Sequence, residues 1–218
     1  MRRTSTLLLV LVTALACMAL VYFLRVEWLT LAVAAKLLAS LGFVATAISA
    51  GALQYRYGQV ILAGLLLSLC GDMALTSTSQ QAFLLGLGFF LFAHLAYISA
   101  FLIRGLNVRW SGVAAIPVVL IAALVVLWLE PNLPAQMALP VHVYIGVISV
   151  MVIAAFGSKG GGASTLVLAG ALLFFGSDLS VAAQRIMHSE FPTLIWGLPM
   201  YYAGQLCFAL STSQSASQ

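Results

Sequence analysis

Charge is what this chain lacks most. Charged residues fill 6% of its 218 positions, against about 25% in an average soluble domain. Five residues are acidic and nine are basic, and the mean hydropathy is +1.13. So little charge excludes an ordinary soluble domain and leaves almost nothing from which to build one. Several chemistries are missing too. The three cysteines (Cys17, Cys70 and Cys207) lie inside apolar runs, with no CxxC pair and no Cys/His metal spacing. They are expected to pack rather than to form disulfides or hold zinc. There is no GxSxG and no HExxH, which removes the common nucleophile and zinc-protease signatures. The glycine-rich GSKGGG at 157–162 lacks the Walker pattern and is expected to be a flexible turn. No linker or domain boundary interrupts the chain.

What remains is a series of apolar runs. A bilayer-spanning helix needs roughly 20 apolar residues. Eight such runs are readable, at about 5–24, 29–50, 59–76, 81–103, 112–129, 137–156, 163–183 and 193–211, separated by short polar or Pro/Gly-bearing turns. They are continuously apolar, whereas barrel strands alternate. The expected fold is therefore an all-α bundle of about eight transmembrane helices, one domain over 1–211, with a polar tail over 212–218. The first run also resembles a secretory signal. Its length, continuing past Cys17 to Leu24, favours a transmembrane helix.

The net charge of +4 follows topology and is no nucleic-acid signature. With an inside N-terminus, Arg2, Arg3, Arg56, Arg104, Arg109 and Lys159 share one side. Arg25, Glu27, Glu130, Arg185 and Glu190 share the other. That positive-inside bias places both termini in the cytoplasm. The expected location is a cell membrane, the inner one in a bacterium.

Two of the few acids fall in the wrong place for a lipid-facing chain. Asp72 in LLLSLCGDMALT and Asp178 in GALLFFGSDLSV sit near the ends of apolar runs, while the other three acids lie in the gaps. A carboxylate at membrane depth is costly and is a functional-site candidate by default. The two are 106 residues apart, about half the chain, and the surrounding segments weakly echo each other. Four helices separate the copies, so the repeats would be parallel. Both aspartates are expected at similar depth, four and five residues from the outer ends of their runs, able to share one cavity. The other intramembrane polar residues are Lys36, Ser68, His94, Tyr97, His142, Tyr144, Arg185, Tyr201, Tyr202 and Gln205. His94 with Tyr97, and Tyr201 with Gln205, fall on common helical faces. Arg185 lies two turns beyond Asp178, where a phosphate would sit, and its fork-shaped donors suit one. Each has a bland alternative. The tyrosines could belong to an interfacial belt, Lys36 could snorkel, His94 could be structural, His142 is expected at the interface, and Arg185 could be an anchor. The two aspartates could form ion pairs with Lys36 or Arg185.

Two carboxyl groups in one low-dielectric cavity resist ionising together, so one is expected to hold a proton while the other stays charged. That pairing supplies a general acid and a base or charge stabiliser. It suits acid-catalysed hydrolysis of a lipid that enters laterally. A proton-coupled transporter of a lipid-like or small apolar substrate is the alternative. An intramembrane aspartyl protease would carry GxGD, but Leu69 stands where the first glycine belongs. A purely structural or chaperone role is the bland reading of the pair.

The stretch LLLSLCGDMALTSTSQQAFLLGLGFFLFAHLAYISAF, with Gly71-Asp72 and His94-Leu95-Ala96-Tyr97, resembles the core of the YhhN/TMEM86 family. GALLFFGSDLSVAAQR, VYIGVISVM and YYAGQLCFALS resemble its later segments, with Asp178 and Arg185, Tyr144, and Tyr201, Tyr202 and Gln205. Leu37 stands where the family often has a proline after the lysine at position 36. The resemblance covers helices two to eight. It implies lysoplasmalogenase activity: hydrolysis of a lysoplasmalogen vinyl ether to a fatty aldehyde and glycerophosphoethanolamine or glycerophosphocholine. Asp72 and Asp178 would then be catalytic. Lys36, His94, Tyr97, Tyr144, Arg185, Tyr201, Tyr202 and Gln205 would bind or orient substrate. The partner would be a lysophospholipid from the bilayer, with no nucleic acid, metal or organic cofactor.

Overall fold

The structure is a computed structural model and describes residues 2–189 and 191–213. Those residues form eight α-helices and no strand: α1 (Arg2–Arg25), α2 (Leu29–Ala50), α3 (Arg56–Ala74), α4 (Gln80–Ile103), α5 (Val108–Leu129), α6 (Ala135–Gly160), α7 (Thr165–Arg185) and α8 (Leu194–Ser211). Seven are long and apolar enough to cross a bilayer, and the protein is an integral, multi-pass membrane protein. The remaining one, α8, is the shortest. It carries Tyr201, Tyr202 and Gln205, all buried inside the bundle. Thr212 and Ser213 continue it as a short turn. The rest of the expected tail, 214–218, and Glu190 lie outside the described residues.

Helix ends follow local chemistry more closely than hydropathy. Side chains of Ser79, Asn107 and Ser164 accept hydrogen bonds from the backbone N–H of Ala82, Trp110 and Leu166. These N-caps satisfy donors that a helix start leaves open, and they set where α4, α5 and α7 begin. The expectation of a flexible turn over 157–162 needs correction, because α6 runs through Gly157 to Gly160. A Cβ at Gly157 would collide with Ser111, and one at Gly160 with Trp110. The glycines are there so that α5 can press against α6. The reversal itself is confined to 161–164, where Gly162 has φ +96°.

Consecutive helices run antiparallel. At one end of the bundle the Thr6 and Ser49 hydroxyls meet, Tyr57 meets Ser211, and Asn107 N–H donates to the Gly157 carbonyl. At the other, Arg185 reaches the Ser77 and Thr78 carbonyls and Asn132 reaches Met187. Both described chain ends therefore lie at the first end, which is the end the charge bias assigns to the cytoplasm. Most of the packing repeats after four helices, the contacts of α8 with α1 and α3 being the exceptions. α1 lies on α2 as α5 lies on α6, α3 pairs with α4 as α7 pairs with α8, and α2 contacts α3 and α8 as α6 contacts α7 and α4. That is the arrangement expected of parallel repeats.

Candidate active site

Asp72 occupies the last turn of α3, two residues before the helix ends at Ala74. Asp178 lies seven residues before the end of α7. Hydropathy had placed them at matching distances from their helix ends. The difference arises because α3 stops two residues early, where the Thr76 hydroxyl caps back onto the Met73 carbonyl and opens a polar loop, and because α7 runs two residues further, to Arg185. Both aspartates nevertheless line one cavity of about 450 Å³. This falls within the range of small-molecule sites. Its remaining wall is mostly apolar, with Leu20 and Leu24 of α1, Ala32 of α2, Leu129 of α5 and Ile148 of α6 contributing.

Asp72 is buried, with 5% of its surface exposed. Its Oδ2 accepts the Ser40 hydroxyl at 2.6 Å and the Tyr201 hydroxyl at 2.8 Å. Gly71, the residue before it, leaves room for the Phe90 ring, which a Cβ would meet at 2.8 Å. Asp178 is more open, with 22% of its side chain exposed. Its Oδ2 accepts the Tyr144 hydroxyl at 2.7 Å, and His94 Nε2 lies 2.9 Å from the same hydroxyl. The Tyr144 proton is committed to Asp178, so the phenol oxygen accepts from His94 Nε2–H. His94 Nδ1 is buried without a hydrogen-bond partner, which fits the neutral tautomer protonated on Nε2. In neither aspartate does Oδ1 have a hydrogen bond among the described residues. Each carboxyl thus fixes one oxygen on the scaffold and keeps the other unengaged. Phe90, Phe174 and Tyr201 pack edge to face between the two clusters, with centroids 5.3–5.9 Å apart. Such contacts hold aromatic rings in defined orientations.

The residues singled out from sequence divide into two layers. Asp72, Asp178, Lys36, Tyr144, Tyr201 and Arg185 line the cavity. His94, Tyr97, Tyr202 and Gln205 do not; they stand behind it, each at most 2% exposed. Tyr97 donates to Gln205 Oε1 at 2.8 Å, with Ser68 3.3 Å away. Tyr202 reaches Ser40 and the Lys36 carbonyl, both at 3.4 Å. The bland ion-pair reading of the aspartates is not what the geometry holds. Lys36 makes no ion pair among the described residues, and Arg185 is engaged by carbonyls. His142 pairs with Glu130 at 3.2 Å on the outside of the bundle. All three cysteines are free. Among the described residues no three His, Cys, Asp or Glu side chains cluster as a metal site would require. Sequence reading missed Ser40, the closest partner of Asp72. A signal existed, since Ser40 lies four residues after Lys36 and so shares its helical face. It also missed the Ser177 and Ser180 positions on the cavity wall.

The YhhN family profile matches residues 31–212. This chain belongs to the YhhN family. The matched segment spans α2 to α8 and so includes both aspartates and all their hydrogen-bond partners. The chain is also 32% identical over 161 residues to a Bos taurus protein named lysoplasmalogenase TMEM86A, covering 71% of this chain and 65% of that relative. The alignment thus reaches just under two thirds of the bovine protein's length. No solved structure matches the chain.

Proposed function

We propose that this YhhN protein hydrolyses the vinyl ether bond of lysoplasmalogens, releasing a fatty aldehyde and a glycerophospho-alcohol. The observation that carries the proposal is the pairing of two aspartates from α3 and α7 on one apolar cavity, each tied by a tyrosine through one oxygen. The name of the bovine relative points the same way.

The chemistry asks for two carboxyl groups in different roles. A carboxylic acid delivers a proton to the alkenyl carbon remote from the ether oxygen. The electron pair of the double bond forms the new C–H bond, leaving an oxocarbenium ion. Water adds to its carbon while a carboxylate accepts a water proton, giving a hemiacetal. Collapse of the hemiacetal breaks the C–O bond: its hydroxyl loses a proton as the departing oxygen gains one, aldehyde and alcohol are released with one water consumed, and return of the proton from the carboxylate to the acid resets the pair. Asp72 suits the carboxylate role, because its Oδ2 already accepts two hydroxyls, each of which needs a lone pair. Asp178, more open and held by a single hydroxyl, suits the acid role, with Oδ1 left to carry the proton. Tyr144, backed by His94, aims Asp178. Lys36 and Arg185 supply positive charge on the wall for the phosphate.

The test is aldehyde release by purified protein in detergent. A lysoplasmalogen is compared with the matched acyl lysophospholipid, for wild type, Asp72→Asn and Asp178→Asn. Aldehyde from the vinyl ether alone, lost in both folded variants, is the expected result. A folded wild type that releases no aldehyde would overturn the assignment.

A further inference from the structure

Beside the main cavity lies a second hollow of about 200 Å³, where the loops α3–α4, α5–α6 and α7–α8 converge. Thr78, Gln80, Phe83, Asn132, Arg185 and His188 contribute to its wall. Thr78, Phe83 and Arg185 also line the main cavity, so the two spaces meet at the guanidinium.

Four features of this hollow bear on what it can bind. Arg185 donates from Nη1 to the Thr78 carbonyl at 3.3 Å and from Nη2 to the Ser77 carbonyl at 3.2 Å. A guanidinium has five N–H groups, so most of its donor capacity is uncommitted, and it pairs with no carboxylate among the described residues. Asn132 spends its Nδ2 on the Met187 sulfur at 3.5 Å, a weak acceptor. His188 sits at φ 49°, a left-handed conformation uncommon outside glycine and clustered at ligand sites. Among the described residues no carboxylate lines the wall. Underused donors around a cation select an anion.

We propose that this hollow is the headgroup subsite and takes the phosphate ester of a lysophospholipid whose chain occupies the main cavity. The inference rests on the vinyl ether reading of that cavity. Asp178 and Arg185 are seven residues apart on α7, about 10 Å along the axis. A glycerol backbone with its phosphate suits that interval. A neutral ether lipid would leave the donors unanswered.

The experiment compares kcat/KM for a 1-alkenyl lysophosphatidylethanolamine with that for the 1-alkenylglycerol of the same chain. The proteins are full-length wild type, Arg185→Lys, Asn132→Ala and His188→Ala. Wild type is expected to prefer the phosphate-bearing lipid by about tenfold or more, the scale of one charge-assisted hydrogen bond. The preference falls in every variant, most in Arg185→Lys, because an ammonium cannot fork. The ratio is internal to each preparation, so partial unfolding cancels. If wild type treats the two lipids alike, or the variants keep the wild-type ratio, the headgroup subsite is overturned while vinyl ether hydrolysis stands. Turnover of neither lipid overturns both. Competition separates a lipid headgroup from a free anion: glycerophosphoethanolamine is expected to inhibit wild type more strongly than inorganic phosphate. The opposite order overturns the lipid assignment.

Discussion

The surroundings of Asp72 and of Asp178 are two versions of one design. In both, an aspartate near the same end of a bundle helix receives a tyrosine hydroxyl on Oδ2. Around Asp72 the support is direct and doubled, with Ser40 and Tyr201 on the same oxygen and little exposure. Around Asp178 it is serial: one tyrosine touches the carboxyl, and a histidine touches the tyrosine. The contrast teaches how near-equivalent positions come to have different surroundings. Two donors on one oxygen favour a carboxylate that accepts, whereas one donor and an open second oxygen leave a group able to give a proton away. On the proposed mechanism, the number and order of neighbouring hydroxyls would separate the two roles.

The largest effect that would break this comparison comes from the carboxyls themselves. Asp178→Asn is expected to lower kcat by about a thousandfold, within the usual contribution of a positioned acid. Asp72→Asn should have a loss of similar size. The pH profile of kcat/KM separates them. Residual turnover in Asp178→Asn is expected to lose its alkaline limb, because an acid must be protonated to act. In Asp72→Asn the acidic limb should vanish instead, because the carboxylate must be ionised. Identical profiles in the two variants would dissolve the division of labour.

A smaller effect distinguishes serial from doubled support. Tyr144→Phe removes the one hydroxyl on Asp178 and should cost about 10- to 100-fold in kcat, the equivalent of a hydrogen bond to a carboxyl that becomes charged as it gives up its proton. Tyr201→Phe should cost less than tenfold while Ser40 remains. The double variant Ser40→Ala with Tyr201→Phe should lose more than the product of its single losses. Multiplicative losses would mean that the two hydroxyls do not substitute for each other. The smallest change in turnover is expected at Tyr97, behind the wall. Tyr97→Phe leaves the Gln205 carbonyl oxygen without its donor and should cost about 1–3 kcal/mol of stability. Thermal unfolding in detergent should register this more clearly than kcat per folded molecule does.

The two acids, the apolar runs and the antiparallel order were readable in the sequence because each is a one-dimensional signal. Which polar residue faces the cavity was not. In a soluble helix the apolar stripe reveals the inward face, but a membrane helix is apolar toward lipid and toward its neighbours alike, so periodicity carries no phase. Tyr97 and Tyr201 look equivalent in sequence, yet one is sealed beside Gln205 and the other lines the cavity. Ser40 escaped notice for a related reason. Serine is common where membrane helices touch, and its importance depends on a partner 32 residues away. The GSKGGG segment misled differently, since glycines that usually end a helix serve there as a contact surface.

The repeat of four helices has a further consequence. Asp72 of α3 is held from α2 and α8, and Asp178 of α7 from α6 and, behind it, α4. Each carboxyl therefore draws support from both halves of the chain. Neither half contains a finished site, just as one protomer of an interlocked dimer does not. Cutting the chain in the α4–α5 turn would remove a single covalent connection, but prising the halves apart would dismantle both aspartate sites at once.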